Sequence, residues 1–364
     1  MKVRDIVEVL EGFAPRSLQE SYDNSGLIIG DMDMDVSGVL LCTDITPAVI
    51  SEAVSLGCGM IVSHHPLIFR GIRKIDSGTL VGRCVMSAIR DGIAVYAGHT
   101  SFDNAPYGVS FRMAEKLSLQ DVTVLKPKEN CFAKLSVTVP VAHEEAVRNA
   151  LARAGAGAVG NYDSCSFTSS GVGRFRAMPG ASPYVGRVGE LHSEAESRVD
   201  VIVPMYRLHA AVGAMLSAHP YETPAYDIIP LMNTSPHLGL GCVGELPDPV
   251  SELDFLSEVK RVFRVAAIRH SALLGKPVRR VALCGGSGSD FIPDAVAARA
   301  DVYLTADISY HHFLDADGRT VIADIGHFES EQFTKEIFLE QLTEKFPNFA
   351  VRMAESDTNP VFCC

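Results

Sequence analysis

Short, almost wholly apolar runs recur along the chain, each bounded by glycine or polar residues. "VLLC" (39–42), "MIVS" (60–63), "IAVYA" (93–97), "VALC" (281–284), "VYLT" (302–305) and "TVIAD" (320–324) predict buried strands. The segments between them space their apolar positions as helices do. Buried strands alternating with helices predict an α/β sheet with crossover connections, in which ligands gather beyond the carboxyl ends of the strands.

The pattern repeats. "VLLCTDITPAVISEAVSLGCGMIVSHH" (39–65) aligns without gaps to "VALCGGSGSDFIPDAVAARADVYLTAD" (281–307), each reading as strand, turn, helix, strand. "DGIAVYAGHT" (91–100) then matches "DGRTVIADIGHF" (317–328), each a strand ending in Gly-His. A different repeat lies between these halves. "VTVPVAHEEAVRNALA" (137–152) matches "VIVPMYRLHAAVGAML" (201–216), and "NYDSCSF" (161–167) matches "AYDIIPL" (225–231), so each copy predicts strand, helix, strand. Two such units build a small ferredoxin-like domain. The Gly-, Pro- and Ser-rich segment 168–190 between them reads as loop with short strands. The expected organisation is a duplicated α/β domain made of 1–128 and 234–364, interrupted by an inserted domain at 129–233.

Composition narrows the class. The 364 residues are 47% hydrophobic, enough for two or more domains, and the net charge of −12 argues against a nucleic-acid surface. Nine cysteines without a C-x-x-C pair read as reduced thiols, as in the cytoplasm. There is neither a secretory-type apolar start nor an apolar run long enough for a membrane span, so a soluble, cytosolic protein is expected.

Candidate chemistry sits at the strand ends. His64 and His65 follow one strand in "SHHP"; both can face one ligand only if the chain turns there, which Pro66 favours, and an ordinary polar strand end explains the pair about as well. His99 and Asp103 follow another strand in "GHTSFD", where Asp103 also suits a helix N-cap or turn. His327 and Glu331 are four apart at a helix start and share one helix face; Glu329 does not. His64, His65, Asp103, His327 and Glu331 supply three imidazoles and two carboxylates, a set that suits two open metal sites sharing a carboxylate or water. Zinc, iron and manganese all remain compatible.

Other positions carry less. "CGGSGSD" (284–290) reads first as a tight strand-to-helix turn and only second as a phosphate cradle. Arg70, with Arg73 and Lys74, forms a charged loop that could meet a substrate phosphate. His311 and His312 in "SYHHF" are candidates for proton donors or for partners of the metal ligands. Asp23 and Asn24 suit a turn, and His219 reads as structural.

Together, "YDNSGLIIGD" (22–31), "SHHPLIF" (63–69), "HTSFD" (99–103), "LCGGSG" (283–288), "TADISYHHF" (305–313), "IGHFESE" (325–331) and "DTNP" (357–360) resemble the Nif-three-like family, whose bacterial members are often named GTP cyclohydrolase 1 type 2 homologues. "HPYETPAYDIIPL" (219–231) is similar to the PII/CutA-like insert of the longer bacterial members. "YDN" stands where many members have "WDN", and the chain has no Trp. The resemblance implies a dinuclear metal centre with His64, His65, Asp103, His327 and a bridging Glu331 as ligands. It also implies a toroidal homohexamer. Three functions follow as expectations: a metal-dependent hydrolase opening the imidazole ring of GTP or acting on another nucleotide, a regulatory or metal-handling protein, or a protein-interaction module.

Overall fold

A computed structural model describes residues 1–362, which form two compact units: Met1–Pro127 with the chain from Pro236 on, and Lys128–Ser235. The larger unit holds two sheets. In the first, the strands run in the order Gly26–Ile29, Ala94–Ala97, Met60–Ser63, Gly38–Cys42, Ala350–Met353. The first of these pairs is antiparallel and the others are parallel. The second sheet runs Arg269–His270, Val321–Asp324, Val302–Ala306, Val278–Ser287, Gly239–Val250, Gln120–Pro127. Its parallel core is the trio Val321–Asp324, Val302–Ala306 and Val278–Ser287.

The two parallel trios are built alike. Val39 faces Met60 and Met60 faces Ala94 in one; Val281 faces Val302 and Val302 faces Val321 in the other. Every residue of Gly38–Cys42, Met60–Ser63, Ala94–Ala97, Val302–Ala306 and Val321–Asp324 is buried. Burial on both faces explains why these strands read as unbroken apolar runs rather than alternating ones. The first crossover helix, Pro47–Ser55, starts where Thr46 accepts a hydrogen bond from Val49 N–H and proline occupies the first turn.

Aromatic packing locks the chain just beyond the first trio. Phe102 is fully buried, with its ring centroid 4.7 Å from Phe338 and 5.3 Å from Phe13. Gly98 lies so close that a Cβ there would meet the Phe102 ring at 2.6 Å. Helix Thr100–Asn104, which carries Asp103, is thereby held against the core.

The smaller unit is a four-stranded antiparallel sheet in the order Phe167–Arg176, Leu191–Pro204, Phe132–Pro140, Tyr226–Leu231. Helices Glu144–Arg153 and Leu208–Ala218 complete a β-α-β-β-α-β chain order. Leu135, Val137 and Val139 alternate on one face and pack with Val199, Val201 and Val203 under Val147, Leu151, Ala211 and Met215 of the helices.

One segment differs in part from expectation. Its stretch 177–190 is irregular, but Phe167–Arg176 is a ten-residue strand paired continuously with Leu191–Asp200, from Phe167 opposite Asp200 to Arg176 opposite Leu191. Cross-strand pairing overrides the weak strand preference of its Ser and Gly residues. The 161–167 segment is correspondingly not a strand; regular pairing starts only at Phe167. Among the described residues no helix is long and apolar enough to cross a membrane, and seven cysteines carry free thiols.

Two substitutions test this packing. Phe102→Ala should cost about 3–5 kcal/mol in urea denaturation. Gly12→Ala, at an exposed position of the helix Val3–Phe13, should instead stabilise it by about 0.5–1 kcal/mol, because a Cβ there meets nothing within 4 Å.

Candidate metal centre

The parallel strands of both sheets deliver their next residues to one place. Met60–Ser63 ends at Ser63, and the chain bends so that the His64 and His65 rings lie 4.9 Å apart. Ala94–Ala97 leads through Gly98 to His99, whose ring centroid is 5.4 Å from His64 and 5.5 Å from His65. Val321–Asp324 leads to the short helix His327–Glu331, which presents both of its end residues on one face.

Each of the four imidazoles is held by its Nδ1. His64 Nδ1–H donates to the Gly98 carbonyl (3.1 Å), His65 to Asp44 (2.8 Å), His99 to Asp23 (2.8 Å) and His327 to Asp307 (2.7 Å). A carbonyl or carboxylate partner can only accept, so a proton sits on each Nδ1 and it is Nε2 that is turned inward as the potential ligand atom. Such outward carbonyl and carboxylate contacts are the usual way a protein orients metal-binding imidazoles.

The Nε2 atoms converge around Glu331. His65 Nε2 is 2.9 Å and His327 Nε2 3.2 Å from Glu331 Oε2, and His64 Nε2 is 3.4 Å from Oε1. His65 and His327 Nε2 stand 3.2 Å from each other. Asp103 joins from the side, with Oδ1 3.9 Å from His64 Nε2. Two groups of three could hold an ion, His64 with His65 and His99, and His65 with His327 and Glu331; within each group the donor atoms lie within 4.8 Å of one another.

Three of these converging atoms are buried without any hydrogen-bond partner: His64 Nε2, Asp103 Oδ1 and Glu331 Oε2. Leaving one such atom orphaned costs about 1–3 kcal/mol. Three of them aimed at one volume, beside two facing imidazole nitrogens, fit a cation as the missing partner. The donor set of imidazole and carboxylate suits a divalent transition metal.

The electrostatics agree. Burial pushes the Asp103 carboxyl well above the ordinary range, and the neighbouring Glu331 charge adds to it. Burial alone would also raise Glu331, but His64, His327 and His65 outweigh it and hold Glu331 ionised. Burial pulls the His64 pKa down, against the raising effect of Glu331. For His65 and His327 the lowering effect of burial is overcome by Asp44, Asp307 and Glu331, which push them up to about 10 and about 9. Positive charge is therefore favoured beside Glu331, whether carried by protons or by a metal.

The cluster opens on one side. Side-chain exposure rises from 0% at His64 through 22% at His65 to 37% at His327. Beyond them lies a cavity of about 520 Å³ lined by Asp44, His65, Asp307, His327, Glu329 and Arg269, among others. Arg269 is paired with Asp324 and donates to the Ile308 carbonyl.

Other expected positions lie apart. Arg70 is in the exposed loop after the histidine pair and is not among the residues lining this cavity. His311 and His312 occupy a short 3-10 turn, where His311 packs on Tyr310 and His312 Nδ1 meets Ser309 Oγ at 3.2 Å. The sequence alone does not mark His99, Asp44, Asp23 and Asp307 as part of the centre, although each lies close to a strand. Asp23 instead forms the base of His99: burial would raise its carboxyl, but hydrogen bonds from His99, Thr100 and Ser25 hold it well below the usual range. The glycine-rich 284–288 stretch also belongs here. Gly286 N–H donates to Ser330 Oγ (2.9 Å), which places the turn against Glu331 rather than around a phosphate.

Comparison with known proteins adds the lineage. Residues 1–360 match the Duf34/NIF3 (NGG1p interacting factor 3) family. The chain is 39% identical to a Halalkalibacterium halodurans protein named GTP cyclohydrolase 1 type 2 homolog, over 88% of this chain and 87% of that one. It is 37% identical to a Bacillus subtilis protein of the same name, over 98% of this chain and 97% of the relative. The crystal structure of a Bacillus cereus protein related to NIF3 superposes with a TM-score of 0.87 at 36% identity, covering 100% and 99% of the two chains.

Gly286 tests the geometry. Its φ is +65°, and a Cβ there would lie 2.2 Å from Glu331 Oε1. Gly286→Ala should cost about 1–3 kcal/mol in chemical denaturation. An unchanged midpoint would show that Glu331 is not packed as described.

Proposed function

The chain belongs to the Duf34/NIF3 family, and from that membership and the geometry of the cluster we propose that it is a dinuclear-metal-dependent hydrolase of a small, nucleotide-like substrate. The observation that carries this reading is the set of orphaned donor atoms gathered beside His65 and His327, two residues that border an open cavity. A storage site would be sealed on all sides, whereas His65 and His327 here border the cavity.

His64, His65, Asp103, His327 and Glu331 would hold the metals, and His99 stands within reach of the His64–His65 side. Bound divalent ions would supply Lewis acidity and lower the pKa of water to near neutrality. The chain's own groups do the rest. Asp44, Asp23 and Asp307 keep the imidazoles in the tautomer that presents Nε2, and burial of Glu331 and of the Asp103 Oδ1 atom excludes competing water. Asp307 and Glu329, at the cavity wall, are placed to accept a proton from a substrate or water.

The relatives' name points to GTP as the substrate to test first. A specific observation favours a second reading, a metal-handling protein. Asp44, Asp307, Asp324 and Glu329 line the cavity with Arg269, which is already paired, so the wall attracts cations more than a triphosphate. The smaller unit's chain order supports a ferredoxin-like, PII/CutA-like insert, which on the second reading would regulate metal access. The toroidal homohexamer that the family resemblance implies belongs to either reading.

Elemental analysis of the purified full chain, with GTP turnover assayed on the same samples, separates the two. About two divalent metal ions per chain are expected, with both His64→Ala and Glu331→Ala losing metal while remaining folded. Asp44→Asn and Asp307→Asn should each weaken metal affinity by about 10–100-fold. Turnover that falls with metal content supports the hydrolase. A metal-loaded chain that leaves GTP and other nucleotides intact supports metal handling instead.

A further inference from the structure

The smaller unit carries a second cavity, of about 280 Å³, on the face of its sheet opposite the helices. Its floor is formed by Thr138, Gly173, Phe175 and Glu196, and its walls by Tyr184 and Tyr221 from the loops that follow. Alternation sets these floor residues apart from the core. Val137 and Val139 face the helices, so Thr138 faces away; Gly171 pairs with Glu196, which puts Gly173 and Phe175 on the same side as that carboxylate. Arg174 also borders the cavity, at a position that alternates with Gly173 and Phe175 along the strand, and it forms no ion pair with Glu196.

Glu196 is the unusual member. It is only 6% exposed, and the side chain that meets it is neutral: the Tyr221 hydroxyl donates to Oε1 at 2.9 Å. Burial and that hydrogen bond push the Tyr221 phenol up, so it remains a neutral donor. The nearby imidazole of His219 cannot supply a charge either. Its Nδ1 accepts from Tyr221 N–H (3.0 Å) while its Nε2–H donates to the Thr138 carbonyl (2.8 Å), which leaves no position for a second proton. No cation among the described residues forms an ion pair with Glu196. A carboxylate desolvated to this degree is costly unless a positive group meets it.

The surroundings suit a particular positive group. Phe175, Tyr184 and Tyr221 form an aromatic wall, with ring centroids 5.9 Å apart for Phe175 and Tyr221 and 6.3 Å for Tyr184 and Tyr221. The negative faces of such rings attract organic cations, most strongly when these are poorly hydrated. Gly173 opens the space: a Cβ there would strike the Glu196 carboxylate at 2.3 Å, although its backbone conformation would admit other residues. Glu222 stands at the rim, accepting from Ser182 N–H at 3.1 and 3.2 Å.

We propose that this cavity binds a small organic ammonium ion, with Glu196 as its counter-charge and Phe175, Tyr184 and Tyr221 as its aromatic enclosure. The site is independent of the metal centre and of the function proposed for it. A bound ammonium ion satisfies the buried carboxylate and fills a volume too small for a nucleotide.

Calorimetric titration of the full chain with tetramethylammonium, choline and putrescine chlorides, against sodium chloride at matched ionic strength, tests the proposal. Saturable binding of at least one of the three, at one site per chain, is the expected result. Glu196→Gln and Tyr184→Ala should each weaken it about tenfold. Both variants should keep the wild-type metal content, and circular dichroism should show them folded. Tyr184 is half-exposed, so its truncation keeps the test open should Glu196→Gln fail to fold. Absence of saturable binding by all three ions, or binding unchanged in both folded variants, would overturn the proposal.

Discussion

Four Nδ1–H groups, each donating to an oxygen that can only accept, determine what the centre of this protein can do. They turn the Nε2 atoms of His64, His65, His99 and His327 inward together. Without those oxygens the rings could rotate or exchange tautomers, and the cluster would be a loose group of polar strand ends. With them, neighbouring nitrogens face one another and Glu331 across gaps of about 3 Å. Such an arrangement is stable only with positive charge in its midst.

The fold supplies these oxygens from three kinds of position. The Gly98 carbonyl is aimed by the tight approach of Gly98 to Phe102, itself fixed between Phe13 and Phe338. Asp44 lies in the loop after Gly38–Cys42, in the first of the two strand trios, and Asp307 follows Val302–Ala306, in the second. Asp23 comes from the segment before Gly26–Ile29. The two trios thus contribute unequally: one brings the adjacent histidines, the other brings Glu331 and the restraint on His327. A duplicated strand–helix–strand unit has diverged so that its copies complete one site.

Much of this architecture was legible because it rests on local rules. Strands buried on both faces leave unbroken apolar runs, and helix spacing places His327 and Glu331 on one face whatever lies around them. The loci of His64, His65, Asp103, His327 and Glu331 could be read as strand ends for the same reason. The partners of the imidazoles could not, since Asp23 and Asp44 look like turn residues until tertiary structure sets them against His99 and His65, 76 and 21 residues away. The full length of the strand Phe167–Arg176 is hidden in the sequence because its Ser and Gly content imitates a loop with only short strands, while its stability comes from the long strand beside it. Glu196 likewise carries no signal in sequence: only the pairing register reveals a carboxylate lying over Gly173 on the face away from the helices.

The central claim is that side chains from both copies of the repeat share one metal environment. X-ray absorption fine structure on the metal-loaded full chain tests it most directly. The account predicts a shell of imidazole nitrogen and carboxylate oxygen at about 2.0–2.2 Å, without sulfur, and a second metal at about 3.5–4 Å. A sulfur-containing shell, or one of oxygen alone with no imidazole scattering, would contradict it.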